Sequence, residues 1–305
     1  MTSVSRSIPR PLGAATGVVL DRVFGEPATS YHPVVHFGRF MENFERGNYR
    51  DAKSSGVTHA VMGALLGLRA GALIRSTAVA TGLAVGGRAL HDAARDVSDA
   101  LLRGELERAR ELLPTLVGRN SSDLDEGEIA RATVESVAEN TVDAIVAPAL
   151  WAALAGASGA LGYRSLNTMD AMVGHRSARY TNYGWASARL DDVANWVPAR
   201  CTAALVALVR PKAAKDVHWA VTTQAPAHPS PNSGVAEAAF AAALGLRLGG
   251  RNYYAERVED RPTLGKGRSA EPIDIGEAVR LSRDVSTALV VILGVTGVAL
   301  WTRWR

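Results

Sequence analysis

Residues 131–151 read RATVESVAENTVDAIVAPALW, 152–162 read AALAGASGALG, and 163–200 read YRSLNTMDAMVGHRSARYTNYGWASARLDDVANWVPAR. The stretch sets charged, amide and aromatic residues directly against apolar sequence. Thr141–Leu161 has the length and polarity of a membrane-spanning helix, about 20 residues with one charge, Asp143, at its edge. At its start, Glu135, Glu139 and Asp143 fall at i, i+4 and i+8, so a helix carries all three on one face. Like charges at that spacing cost an isolated helix roughly 0.2–0.5 kcal/mol per pair. A sequence that keeps them while running on into apolar residues suggests that a cation meets the face. Beyond the apolar run, Asp170, Asp191 and Asp192 stand among Arg164, Arg176, Arg179, Arg189 and Arg200. On spacing alone these charges also suit a solvated helix end and an ion-paired loop.

Working outward, residues 57–88 form a long run rich in Gly and Ala, interrupted by Arg69 and Arg75. It suits one tilted span or a tight helical hairpin, and its small residues suit close helix packing in lipid. A charge at mid-membrane costs about 2.5–3.5 kcal/mol on insertion scales, so such arginines line an interior or snorkel. Residues 193–209 make a poorer span, holding Pro198 and Arg200, and are expected to be re-entrant. Residues 286–302 make a clean terminal one, closed by the aromatic and basic anchor Trp301, Arg303, Trp304 and Arg305. A short apolar run at 12–24 ends in Gly25-Glu26-Pro27. These runs predict an all-α, polytopic membrane protein with about four or five embedded helices, residues 1–305 forming one helical membrane domain. A soluble protein with a buried helix pair is the alternative for 57–88.

The polar regions are 89–140, 163–192 and 210–285. Leu90–Ile129 reads as a water-facing helical hairpin, with Glu105, Glu107, Arg108, Arg110 and Glu111 at helical offsets. His32 and His36 have a metal-binding spacing, but Pro33 biases His32 away from helix, so a turn into an amphipathic helix is expected. Ser230 or Asn232 is placed to cap a small-residue helix over Val235–Leu248, whose N-terminus can also hold an anion. Gly249-Gly250 should end that helix, and 256–272 reads as an exposed charged loop.

Composition sets outer limits. Hydrophobic residues make up 47% and charged residues 21%, so location rather than overall hydropathy must decide the class. The net charge of +4 is carried mainly by arginine, whose planar fork suits carboxylate and phosphate. Cys201 is the sole cysteine, which excludes an internal disulfide and a cysteine-based zinc site. Arg6 and Arg10 precede a mildly apolar run that Pro11, Asp21 and Arg22 interrupt, so a cleaved signal peptide is not expected. No Gly-x-x-x-x-Gly-Lys-Ser/Thr loop is present, which excludes a P-loop nucleotide site.

Several motifs in order resemble the adenosylcobinamide-phosphate synthase family (CobD/CbiB) of cobalamin biosynthesis. They are Asp21; Gly25-Glu26-Pro27 and His32-Pro33-Val34; Glu139-Asn140-Thr141-Val142-Asp143 with Ala147-Pro148 and Trp151; and Asn167, Thr168, Asp170, Met172 and Gly174. Arg179-Tyr180, Gly184, Ala188-Arg189, Asp191-Asp192, Pro198-Ala199-Arg200 and Ser230-Pro231-Asn232-Ser233-Gly234 follow. Glu26 stands where the family has Asp, and Arg119-Asn120-Ser121 where it favours Arg-Asp-Thr.

The resemblance implies a multi-pass cell-membrane enzyme, a carbon–nitrogen ligase. It would use ATP and Mg²⁺ to join aminopropanol or its phosphate to the free propionate of adenosylcobyric acid, a corrinoid. It implies catalytic roles for Glu139, Asp143, Asp192 and Arg189. Substrate binding would fall to Arg179, Arg200, Asn167, Asp170, Ser230, Asn232 and His32, and Mg²⁺ binding to Glu135, Glu139 and Asp143. Expected partners are the small-molecule substrates, the lipid bilayer and other corrinoid-assembly enzymes at the membrane; no nucleic acid is expected. Two other classes stay open on the residues: a membrane transporter, from Arg69 and Arg75 in an apolar run, and a membrane prenyltransferase, from Asp191-Asp192.

Overall fold

The computed structural model describes residues 8–27, 30–118, 120–175, 177–254 and 257–303. Arg6, Arg119, Arg176, Glu256, Trp304 and Arg305 lie outside the described residues. The chain divides into two compact units, one of Met1–Gly86, Pro148–Asp191 and Leu289–Arg305, the other of Gly87–Ala147 and Asp192–Ala288.

The first unit is built on close helix contact. Helix α1 spans Arg10–Phe24, α2 Pro33–Asn48, α3 Lys53–Ile74 and α4 Thr77–Ala84. Gly56, Gly63, Gly67 and Gly71 line one buried face of α3. A Cβ at Gly63 would run into Met169 Sδ, one at Gly67 into Ser165 Oγ, and one at Gly71 into the Ala157 carbonyl. Those partners descend in sequence as the glycines ascend, so α3 and α8 (Ala147–Met169) pack antiparallel, backbone against backbone. Small residues permit this approach, as the composition of the run predicts. Glycines on α1 do the same against α4: Gly13 meets Thr77 and Gly17 meets Thr81.

Helix α3 ends at Ile74 because Arg75 takes a left-handed backbone, φ 60° and ψ −30°. Residues 57–88 therefore divide into α3 and an eight-residue α4, about 12 Å long and too short to cross a bilayer. Helix α8 is broken at Gly156, φ 68° and ψ −150°.

The second unit holds α5 (Gly87–Leu102), α6 (Leu106–Leu112) and α7 (Glu126–Thr141). A capping box opens α7: Glu128 N donates to Asp125 Oδ1 at 2.8 Å, and Asp125 N to Glu128 Oε2 at 3.0 Å. Helix α9 (Tyr180–Tyr183) belongs to the first unit. Helix α10 covers Trp185–Val209, and α11 (Ala214–Thr223) and α12 (Ser233–Leu244) follow. Helix α12 begins and ends earlier than expected, because Gly245 takes the left-handed cap conformation.

The all-α expectation needs correcting past that point. Strands β1 (Leu246–Tyr254), β2 (Arg257–Leu264) and β3 (Arg268–Ser269) form a sheet of order β2-β1-β3. Strand β1 is antiparallel to β2 and parallel to β3. Gly249 and Gly250 do not end a helix; they lie at a register shift in β1, with φ 83° and 90°. Leu246, Leu248 and Leu264 are buried while Arg247 points outward, an alternation too short to stand out beside glycines and Pro262.

By length and composition, three helices among the described residues can cross a membrane: Lys53–Ile74, the run Glu126–Gly174, and α13 (Pro272–Arg303). The second is 67% buried within the protein over its most apolar window, against 28% for each of the others. The others present apolar residues outward: Val57, Val61, Leu65 and Leu73 on α3, and Val291, Val295 and Val298 on α13. Exposed apolar rows of this kind are compatible with a membrane-facing surface. The run at 193–209 does not turn back on itself. It lies within α10, one helix of 25 residues with Pro198 inside.

Candidate functional site

The latter part of helix α7 and the turn after it are almost wholly buried, which makes their exceptions informative. From Ala132 to Ala149 every residue is buried except Glu139, Asn140 and Asp143. These are the Glu, Asn and Asp of the Glu-Asn-Thr-x-Asp motif, whose Thr141 is buried. Asp143 sits in a π-helical turn, Val142–Val146, and Asp170 opens a second, Asp170–Gly174. Such turns shift side-chain register within a helix and recur at functional sites.

In the second unit the Ser-Pro-Asn-Ser-Gly turn meets this acidic face. Ser233 Oγ donates to Glu139 Oε1 at 2.6 Å, the short distance of a hydrogen bond to an ionised carboxylate. Asn232 is the N-cap residue of α12 but its side chain makes no capping bond; Ser230 Oγ instead accepts from Asn232 N at 3.3 Å and Ser233 N at 3.1 Å. Asn232 is engaged otherwise. Its Oδ1 accepts from Arg200 Nη1 at 3.0 Å, and its Nδ2 donates to the Asp192 carbonyl at 2.8 Å. Arg200 also donates to the Pro231 carbonyl at 3.3 Å and stacks over Trp196, 4.4 Å from the ring centre. Arg200 and Asn232 thus form the clamp that fixes the turn to α10 and sets Ser233 on Glu139.

Glu135 has a different place. It is 2% exposed, pairs with Arg131 Nη1 at 3.1 Å, and accepts from Gly249 N at 2.9 Å. Arg131 also donates to the Gly249 and Arg251 carbonyls at 2.7 and 3.1 Å. The pair ties the β1 bulge to α7. Among the described residues no group of three or more His, Cys, Asp or Glu side chains has a metal-holding arrangement. Two accessible carboxylates, Glu139 and Asp143, still fit Mg²⁺ bound chiefly through nucleotide phosphates, since Mg²⁺ keeps one or two protein carboxylates in such sites.

The sequence offered no sign of the buried pair beneath this turn. His228 Nδ1 accepts from Ser230 N at 3.1 Å, and its Nε2 lies 3.8 Å from Glu237 Oε1, both side chains fully enclosed. Burial pushes the His228 imidazole below its usual range, opposed first by its hydrogen bond to the Ser230 backbone and then by Glu139 and Glu135, with nearby Arg261 acting in the same direction as burial.

The remaining motif residues belong to the first unit. His32 caps α2, its Nδ1 accepting from Val34 N at 3.1 Å, and its Nε2 lies 3.9 Å from Glu26 Oε2. Burial lowers its pKa, partly offset by Glu26. Asn167 Nδ2 reaches Asp191 Oδ1 at 3.4 Å and its Oδ1 reaches Arg164 Nη1 at 3.5 Å, both long. Gly174 leaves the room that the Asp170 carboxylate occupies. Arg179 is paired: Glu45 Oε1 accepts from its Nη2 at 2.8 Å and from Tyr180 Oη at 3.0 Å, and Tyr49 stacks 4.0 Å beneath it. Glu45 falls outside the motifs, so the sequence did not single it out. Arg189 is exposed on α10.

The comparisons with known proteins agree over most of the chain. Residues 14–282 match the family model described as CobD/Cbib protein. A protein named Cobalamin biosynthesis protein CobD from Mycobacterium tuberculosis (strain ATCC 25618 / H37Rv) is 46% identical over 297 residues, 93% of this chain and 94% of that one. Proteins of the same name are 36% identical in Rhodobacter capsulatus, over 93% of this chain and 96% of theirs, and 38% identical in Geobacter metallireducens, over 92% and 94%. No solved structure matches.

Proposed function

The chain belongs to the CobD/Cbib protein family, and from that premise we propose that it is the amide-forming ligase of cobalamin biosynthesis, joining aminopropanol or its phosphate to the free propionate of adenosylcobyric acid. The observation that carries the reading is the Glu139–Ser233 hydrogen bond. It joins two motifs far apart in sequence at the accessible positions of a buried helix. A propionate does not react with an amine until its oxygen becomes a leaving group, and phosphoryl transfer from ATP makes it one. That chemistry rests on positioning and charge neutralisation. Mg²⁺, when bound, supplies neutralisation of the nucleotide phosphates. Glu139 and Asp143 are the carboxylates accessible to hold it, while Ser233 orients Glu139.

Arg200 and Asn232 act as positioning residues in this scheme, because their polar atoms hold the turn. Asn167, Asp170 and Asp191, with His32, offer a polar face for the corrinoid or amine. The protein acts as a multi-pass cell-membrane enzyme with four or five embedded helices. Helix α10, whose Val193, Trp196, Val197 and Leu208 are exposed, supplies a fourth, and α1 packed on α4 contributes a shorter insertion. Membranes carrying the protein, incubated with adenosylcobyric acid, Mg²⁺ and either amine, should form cobinamide or its phosphate only when ATP is added. Failure of both amines would overturn the reading.

A further inference from the structure

In the first unit a cavity of about 440 Å³ opens where the start of α1, the α3–α4 turn and the Gly156 break in α8 come together. Its polar lining is Arg10, Arg75, Ser76, Thr77 and Ser158, and none of the described residues lining it is a carboxylate. Arg10 Nη1 donates to the Leu154 carbonyl at 2.8 Å, an oxygen that the helix break sets free. Among the described residues the Arg75 guanidinium has neither a hydrogen-bond nor an ion-pair partner. Arg75 is also the one non-glycine residue with positive φ among them, a conformation that glycine or asparagine adopts at lower cost.

We propose that this cavity binds a phosphate group, carried by an anionic phospholipid headgroup or free in solution. Two guanidinium forks with no carboxylate to neutralise them favour an anion, and phosphate matches the fork in geometry as well as charge. The wall includes the first residues of two helical segments, Thr77-Ala78 and Ala157-Ser158, whose leading N–H groups lack intrahelical acceptors. The site lies at the end of α3, one of the helices able to cross a membrane. Leu73, 83% exposed, and Ile8, 58% exposed, flank it. A helix that crosses a bilayer places its end near the headgroup phosphates, beside acyl chains that such residues would meet. Arg10 and Arg75 take no part in the motifs around Glu139.

The test uses the full-length protein in neutral detergent and follows its thermal unfolding. One arm titrates phosphatidylglycerol, a second inorganic phosphate, and diacylglycerol serves as the lipid without phosphate. Ligand that binds the folded state alone raises the midpoint. Phosphatidylglycerol should stabilise the wild type, and each of Arg10→Gln and Arg75→Asn should weaken its apparent affinity about tenfold. Asparagine tolerates the left-handed backbone, and both substitutions keep a polar side chain at an exposed position. Saturation by inorganic phosphate, lost in the same variants, would support the site with free phosphate as its ligand. The proposal fails if diacylglycerol stabilises as well as phosphatidylglycerol, if neither phosphate source stabilises the wild type, or if the Arg10→Gln/Arg75→Asn double variant responds like the wild type.

Discussion

Ser233 Oγ lies 2.6 Å from Glu139 Oε1, across 94 residues of sequence, and Arg200 bonds the two residues before Ser233, Pro231 and Asn232. Removing the hydroxyl should misplace the carboxylate without removing it. Ser233→Ala is therefore expected to lower amide formation roughly 10- to 100-fold, the worth of one charge-assisted hydrogen bond. Initial rates in membranes at matched protein levels measure it; unchanged rates would show that Glu139 acts without its orienting partner.

Arg200→Lys keeps the charge but cannot serve Asn232 and the Pro231 carbonyl together. Since Arg200 and Asn232 hold one turn, Arg200→Lys and Asn232→Ala should each lower activity, and the double variant should be little worse than either. A double-mutant cycle on initial rates decides it. Fully additive losses would mean that the two residues act separately.

Glu135 and Glu139 are one helical turn apart and should fail differently. Arg131→Ala removes the guanidinium paired with the buried Glu135 carboxylate, and breaking a buried ion pair typically costs about 3–5 kcal/mol. Its thermal midpoint in detergent should fall markedly, whereas Asp143→Asn, at an accessible position, should unfold near the wild-type temperature. A stable Arg131→Ala protein would remove Glu135 from the account as the anchor of the β1 bulge.

His228 gives a pH signature. It is enclosed beside Glu237, with Arg261, Glu139 and Glu135 also acting on it, and burial lowers its pKa. The unfolded chain takes up a proton at this residue near pH 6.5, while the folded protein resists doing so. The stability it contributes is fully present above that pH and is lost as pH falls from there toward the folded pKa. Between pH 7.5 and 5.5 the wild-type midpoint should drop more steeply than that of His228→Asn, which keeps an acceptor for Ser230 N. Equal slopes would contradict a neutral buried imidazole.

Much of the fold was legible because helix signals are local and periodic. The glycines of α3 announced close packing, and the run into Thr141–Leu161 announced a helix of membrane length. The sheet was not legible, since its pairing is non-local and its first strand contains Gly249-Gly250, which read equally well as a helix stop. The turn at Arg75 was hidden too, because arginine gives no sign of a left-handed backbone. At the candidate site, the motifs singled out Glu139, Asn232 and Arg200 but not the hydrogen bonds that Asn232 and Arg200 make to each other and to the turn. The motif ranked Glu139 above Glu135, but the i, i+4 spacing still assigned both to one metal-binding face; the Arg131 and Gly249 contacts that hold Glu135 were not legible. Arg179 looked equally available until Glu45, from another helix, proved to hold it.

The most direct measurement of the central claim is amide formation by Glu139→Gln across a Mg²⁺ titration, with adenosylcobyric acid, ATP and aminopropanol phosphate supplied to membranes. The substitution keeps the size of the side chain and an oxygen for Ser233 while removing the charge. The account predicts that the variant accumulates in the membrane near the wild-type level and forms no cobinamide phosphate at any Mg²⁺ concentration. Near-wild-type turnover by the variant across the titration would contradict it.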